Sequence, residues 1–188
     1  CHDCGLVNVA PSIPEDVIFS AYSYRASDVP ALVRHHEAFA AWLVKTVPNV
    51  SHYLEIGGND GVLLRQLPKH WKTVNFDPSD VADDSRDTCG WVFDKPFSLA
   101  NVKGIYDWMM TRTDDGGRHR HAYSDFAPPY DLITSSNTFG HFDGIGDALD
   151  GVRWALSDDG IFVVEVHDLD ATLANGQWDT IYHEHRAE

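Results

Sequence analysis

Tyr53-Leu-Glu-Ile-Gly-Gly-Asn-Asp-Gly-Val-Leu-Leu64 runs from a strand-like stretch through a glycine-rich turn into a second apolar run. A strand, a tight turn and a helix in that order open an α/β unit. Gly57 and Gly61 let the backbone turn sharply and leave room for a ligand against it. A helix starting after them would present free N–H groups to that ligand. Glu55, just before the turn, and Asn59, within it, are candidate cofactor-binding residues beside those glycines. The dinucleotide fingerprint Gly-x-Gly-x-x-Gly needs glycine where this chain has Asn59 and Val62. Both positions fail, which counts against a nucleotide-sugar oxidoreductase. A generic glycine turn of an α/β protein is the plain alternative.

Working outward, Val74-Asn-Phe-Asp-Pro-Ser79 ends the next strand-like segment on an acid. A carboxylate about 20 residues beyond the glycine turn suits the two hydroxyls of an adenosine ribose. Asp77 is that candidate, and its other reading is an Asx turn or helix cap before Pro78. Strands are predicted near 52–57, 73–77, 90–94, 131–135 and 161–166. Helices are predicted over 30–46, 62–67, 80–88 and 145–156. This alternation predicts a doubly wound, Rossmann-like α/β sheet of about five parallel strands. Residues 98–129, with Asp114-Asp-Gly-Gly-Arg-His-Arg-His121 and an aromatic patch of Tyr106, Trp108 and Met109, read as a polar connection inserted into that pattern.

Two further stretches carry chemistry. Asp131-Leu-Ile-Thr-Ser-Ser-Asn-Thr-Phe-Gly-His-Phe-Asp143 reads as a buried strand opening into a polar loop. In a parallel sheet that end lines the ligand crevice, so Asn137 and His141 face cofactor or substrate there. A lone loop histidine is ordinarily a solvated surface group, and only the strand context makes His141 a candidate. Trp178-Asp-Thr-Ile-Tyr-His-Glu-His185 would, as a helix, set Tyr182 and His185 on one face, a phenol beside an imidazole suited to act as a general base. Extended, it would pair His183 with His185 as metal ligands, and it also reads as plain surface polarity.

With 43% hydrophobic residues in 188, the chain can bury one sizeable core. Its net charge of −15 repels a phosphate backbone, which excludes nucleic acid as a general partner. No apolar run reaches the roughly 20 residues of a membrane helix, and no leader-like segment opens the chain, so a cytoplasmic protein with no membrane partner is expected. Cys1-x-x-Cys4 has the spacing of a zinc knuckle. Residues 1–30 therefore read as a partial zinc-binding lead-in module, and 31–188 as the cofactor-binding domain. The chain starts on Cys and stops without a polar tail, and truncation at both ends is expected.

Taken together, these stretches resemble one family. Glu-x-Gly-x-x-x-Gly, from Glu55 to Gly61, is similar to motif I of class I S-adenosylmethionine-dependent methyltransferases. Cys1-His-Asp-Cys-Gly-Leu-Val7, Tyr22-Ser-Tyr-Arg-Ala-Ser27, Asp77-Pro-Ser79, Asn137-Thr-Phe-Gly-His141 and Asp179-Thr-Ile-Tyr-His-Glu-His185 come in the order seen in the C-methyltransferases of nucleotide-linked 4-keto-deoxysugars. The resemblance implies S-adenosylmethionine as cofactor, held by Gly57, Asn59 and Asp77, and a nucleotide sugar as substrate. It also implies His185 as the base, Tyr182 as the oxyanion donor and His141 nearby. It makes Cys1 and Cys4 half of a four-cysteine zinc site, which this chain cannot close alone. The usual seven-stranded sheet of that fold would here lack its last two strands. Gly58 departs from the Ser or Cys more often found there. An O- or N-methyltransferase, or a non-catalytic cofactor-binding fragment, are the competing readings.

Overall fold

The computed structural model describes residues 17, 19, 22–111, 123 and 125–176. Cys1, Cys4, Tyr182, His183 and His185 lie outside them. Five strands, β1 (His52–Ile56), β2 (Lys72–Phe76), β3 (Trp91–Phe93), β4 (Tyr130–Ser136) and β5 (Leu156–Glu165), form one sheet in the order β3-β2-β1-β4-β5. Every neighbouring pair is parallel. The order reverses at β1, so the crevice outside the carboxyl ends of β1 and β4 is the topological switch point where such sheets bind ligands.

Both faces of the sheet are covered, which explains the near-continuous apolar strands. Alternate residues go to opposite sides. Leu54, Ile56 and Ile133 join one core with α2 (Leu99–Thr111) and α3 (Ile145–Ala155). Tyr53 and Leu132 join the other with α1 (Pro30–Thr46). Helix α1 starts on a proline, whose fixed φ suits a first turn, and buries His36, Ala40 and Leu43 at spacings of four and three. A short α4 (Leu169–Asn175) follows β5, capped by the Asp168 side chain on the Ala171 N–H.

Three local expectations are corrected. No α-helix follows the glycine turn. Leu64–Gln66 is a single 3-10 turn, because Pro68 forces Leu67 into extended backbone at ψ 156°. Residues 80–88 likewise form a 3-10 stretch, Asp80–Ser85, rather than a helix. The polar connection 98–129 begins instead with α2, which buries Val102 and Met109 against the sheet and packs on α3. Its glycine and its polar residues at the edges hid the amphipathic pattern. The strands at 52–57, 73–77, 90–94 and 131–135 and the helix at 145–156 fall within two residues of their expected bounds, while β5 starts five residues early. Among the described residues, no helix is long and apolar enough to cross a membrane.

Candidate functional site

One cavity opens at the switch point, over the turn that ends β1. Glu55, Gly57, Gly58 and Asn59 line it from β1 and the turn, and Asp77, Pro78 and Ser79 from the end of β2. Pro96 and Phe97 come from the loop after β3, Ser136, Asn137, Thr138 and His141 from the loop after β4, and Leu32 and His36 from α1. Segments far apart in sequence are thereby brought together by the parallel sheet. The expected Glu55, Gly57, Asn59, Asp77, Asn137 and His141 all border this space. Gly61 does not line it and stands behind the turn, facing Ser85.

The turn is held in shape by its own hydrogen bonds. The N–H of Gly57 donates to Phe76 O (2.7 Å), that of Gly58 to Asn75 Oδ1 (3.0 Å), that of Asn59 to Asp77 Oδ2 (2.7 Å) and that of Gly61 to Gly58 O (2.9 Å). These donors are spent inside the protein. No α-helix begins here, so these four N–H groups are not a helix N-terminus held open for a ligand. Gly57 sits at φ +74°, and a side chain there would overlap Thr138. Asn59 takes φ +49°, a left-handed conformation that asparagine tolerates, which is how this turn forms without the second glycine of a dinucleotide fingerprint. Its side chain accepts from Ala26 N–H (2.9 Å) and donates to Tyr24 O (3.0 Å), so it ties the segment before α1 to the turn.

Asn75, buried on β2, is the residue that sequence reading passed over. Its amide accepts from Gly58 N–H and donates to Asn59 O (3.2 Å) and Ser85 Oγ (3.1 Å), bracing the turn from beneath. A Cβ on Gly58 would lie 2.5 Å from Asn75 Oδ1, so a side chain there would have to displace the amide that braces the turn. The signal was a polar residue in the middle of an otherwise apolar strand.

The charges converge on the turn. Glu55 is 3% exposed, and its Oε2 has no hydrogen-bond partner. Burial, and then the nearby Asp77 and Asp60, push its carboxyl up to about 8. Asp77 accepts from Asn59 N–H on one oxygen and from Ser79 N–H (2.8 Å) and Ser79 Oγ on the other. Burial raises its carboxyl, and the bonds from Ser79 and Asn59 work against that rise. The Asx turn at Ser79 and the place on the cavity wall coexist, since each carboxylate oxygen keeps further acceptor capacity. A cavity with one unpartnered buried carboxyl and a second acid calls for a ligand bearing a positive charge and hydroxyl donors. S-adenosylmethionine carries an ammonium, a sulfonium and two ribose hydroxyls, and the residues fit it. Among the described residues no group of three metal-ligating side chains occurs.

The methyltransferase domain family matches residues 26–187. The C-methyltransferase NovU of Streptomyces niveus is 30% identical across 98% of this chain, and the chain spans 41% of that protein's length. Among solved structures, the plantazolicin methyltransferase BpumL in complex with a pentazolic desmethylPZN analog and SAH aligns with a TM-score of 0.54 at 15% identity, over 84% of this chain and 56% of that one. The plantazolicin methyltransferase BamL, in complex with a triazolic analog and SAH, gives 0.51 at 13% identity, over 81% and 51%. At such identities the likeness to the solved structures is one of fold.

Proposed function

The chain belongs to the methyltransferase domain family, and on that premise we propose that it binds S-adenosylmethionine over the glycine turn and directs its methyl group to a carbon beside the ketone of a nucleotide-linked deoxysugar. The observation that carries the cofactor half is the buried, unpartnered Glu55 carboxyl opening on a cavity shared with Asp77. Glu55 would meet the ammonium and Asp77 the ribose hydroxyls, with Pro96 and Phe97 beside the adenine. The cofactor supplies an electrophilic methyl group on a sulfonium. The likeness to NovU, named a C-methyltransferase, supports carbon as the acceptor atom. His185 would remove the proton next to the ketone, and Tyr182 would donate to the oxygen as charge builds on it. Asn137 and His141, at the carboxyl end of β4, would border the sugar. The Cys1-x-x-Cys4 spacing supports a shared zinc site, and elemental analysis of the full-length protein finding no zinc would return the pair to a plain turn.

The direct test is calorimetric titration of S-adenosylhomocysteine and NAD side by side. Saturable binding of the first and none of the second is expected, and the reverse would sink the reading. Asp77→Ala should cost about 1.5–3 kcal/mol of S-adenosylhomocysteine affinity, the scale of hydrogen bonds to a charged group. Unchanged affinity would remove Asp77 from the ribose site.

A further inference from the structure

A second buried ring faces the same cavity. His36, one helical turn after Leu32 on the face of α1 turned to the sheet, is 7% exposed, lines the cavity, and has an Nδ1 with no hydrogen-bond partner. A histidine kept only for the core would have that nitrogen satisfied, because an orphaned buried polar atom costs roughly 1–3 kcal/mol. The groups around it are His35 on α1, Glu165 at the end of β5, and Asp60 in the turn. Glu165 is occupied elsewhere. It accepts from Ser136 Oγ (2.7 Å) and pairs with His35 Nε2 (2.8 Å) on the outer side of the helix. Asp60 lies against Arg65 at 3.6 Å.

The amino-acid end of the proposed cofactor carries a carboxylate as well as an ammonium. The N–H groups of Gly57, Gly58, Asn59 and Gly61 are bonded within the protein, and among the described residues no Lys or Arg lines the cavity. The hydroxyls of Ser136 and Thr138 donate to Glu165 and to Ser136 O. Among the described residues, His36 and His141 are the imidazoles on the wall, and His141 already stacks edge-on with Phe19.

We propose that His36 receives the carboxylate of the cofactor's amino-acid end, so that α1 contributes a specificity contact opposite Glu55. This rests on the cofactor reading above. Burial, followed by the charge of His35, holds the His36 imidazole below its ordinary range, so the unliganded ring is neutral at pH 7. A carboxylate brought against it favours the protonated form, and the ring takes up a proton as the ligand binds. Glu55 and His36 thus form the two poles that an amino-acid zwitterion needs.

The test compares S-adenosylmethionine with its decarboxylated analogue, which keeps the sulfonium and an ammonium and lacks only the carboxylate. Calorimetry on the full chain between pH 5.5 and 7.5 should show wild type favouring the carboxylated ligand by about 10–100-fold, a preference that shrinks as pH rises. His36→Gln should lose that preference and its pH dependence while binding the decarboxylated ligand as wild type does. His36→Asn and the melting temperature guard against a folding defect. Equal weakening of both ligands in both variants would overturn the inference in favour of a packing role, and an undiminished preference would overturn it outright. Either result leaves the cofactor reading standing. Failure of wild type to bind either ligand removes both.

Discussion

Glu55→Gln is expected to stabilise the unliganded protein at pH 8 while weakening its grip on S-adenosylmethionine. The folded carboxyl titrates at about 8 and the unfolded one at 4.5. Between those values the folded chain holds one more proton than the unfolded chain, so stability contributed at this site is full below pH 4.5 and falls as pH rises to 8. Each pH unit in that window is worth about 1.4 kcal/mol. Glutamine has the same shape and no charge to bury. Urea titrations from pH 5 to 8.5 should therefore show the variant gaining on wild type progressively, by roughly 2–4 kcal/mol at the upper end. The same variant should bind S-adenosylhomocysteine about 10–100-fold more weakly, because the ammonium loses its counter-charge. Parallel stability curves for variant and wild type across that range would show that Glu55 does not titrate as its burial demands. Undiminished ligand affinity would place the ammonium elsewhere. The opposed signs, more stable yet weaker in binding, are what an acid buried for a cationic ligand produces.

His185→Ala is expected to depress methyl transfer by about 10²–10⁴-fold with cofactor affinity intact, the size of effect usual for loss of a general base. Carbon methylation demands removal of a proton from a weakly acidic carbon, whereas an oxygen acceptor tolerates the loss of a base better. Solvent deuterium exchange at the sugar carbon separates proton removal from methyl transfer. Tyr182→Phe should slow exchange less than His185→Ala, since it withdraws one donor from the developing oxyanion and leaves the base in place. If His185→Ala exchanges that proton at the wild-type rate, the base is another group, and His141 on the cavity wall or His183 is the next to replace.

The sequence by itself determined the class of fold and the address of the candidate site. Apolar runs at 52–57, 73–77 and 131–135 alternating with helical periods admit little besides a parallel sheet, and ligands of such sheets bind at the strands' carboxyl ends. Glu55, Gly57, Asp77, Asn137 and His141 follow from that rule, because each stands just at or just beyond such an end. What tertiary structure decided is everything that depends on which segments meet. Pro68 and the packing of Leu63 and Leu64 into the α1 core turned an expected helix into a single 3-10 turn, and the N–H groups of Gly57, Gly58 and Asn59 went to Phe76, Asn75 and Asp77. Asn59, expected as a ligand contact, borders the cavity and also ties the turn to Tyr24 and Ala26. Asn75 showed only as a polar residue inside an apolar strand, and His36, on a helix face, carried no local signal. Their roles arise only when β2 is laid beside β1 and α1 is folded over the crevice, since a buried polar atom is defined by what surrounds it and not by its neighbours along the chain.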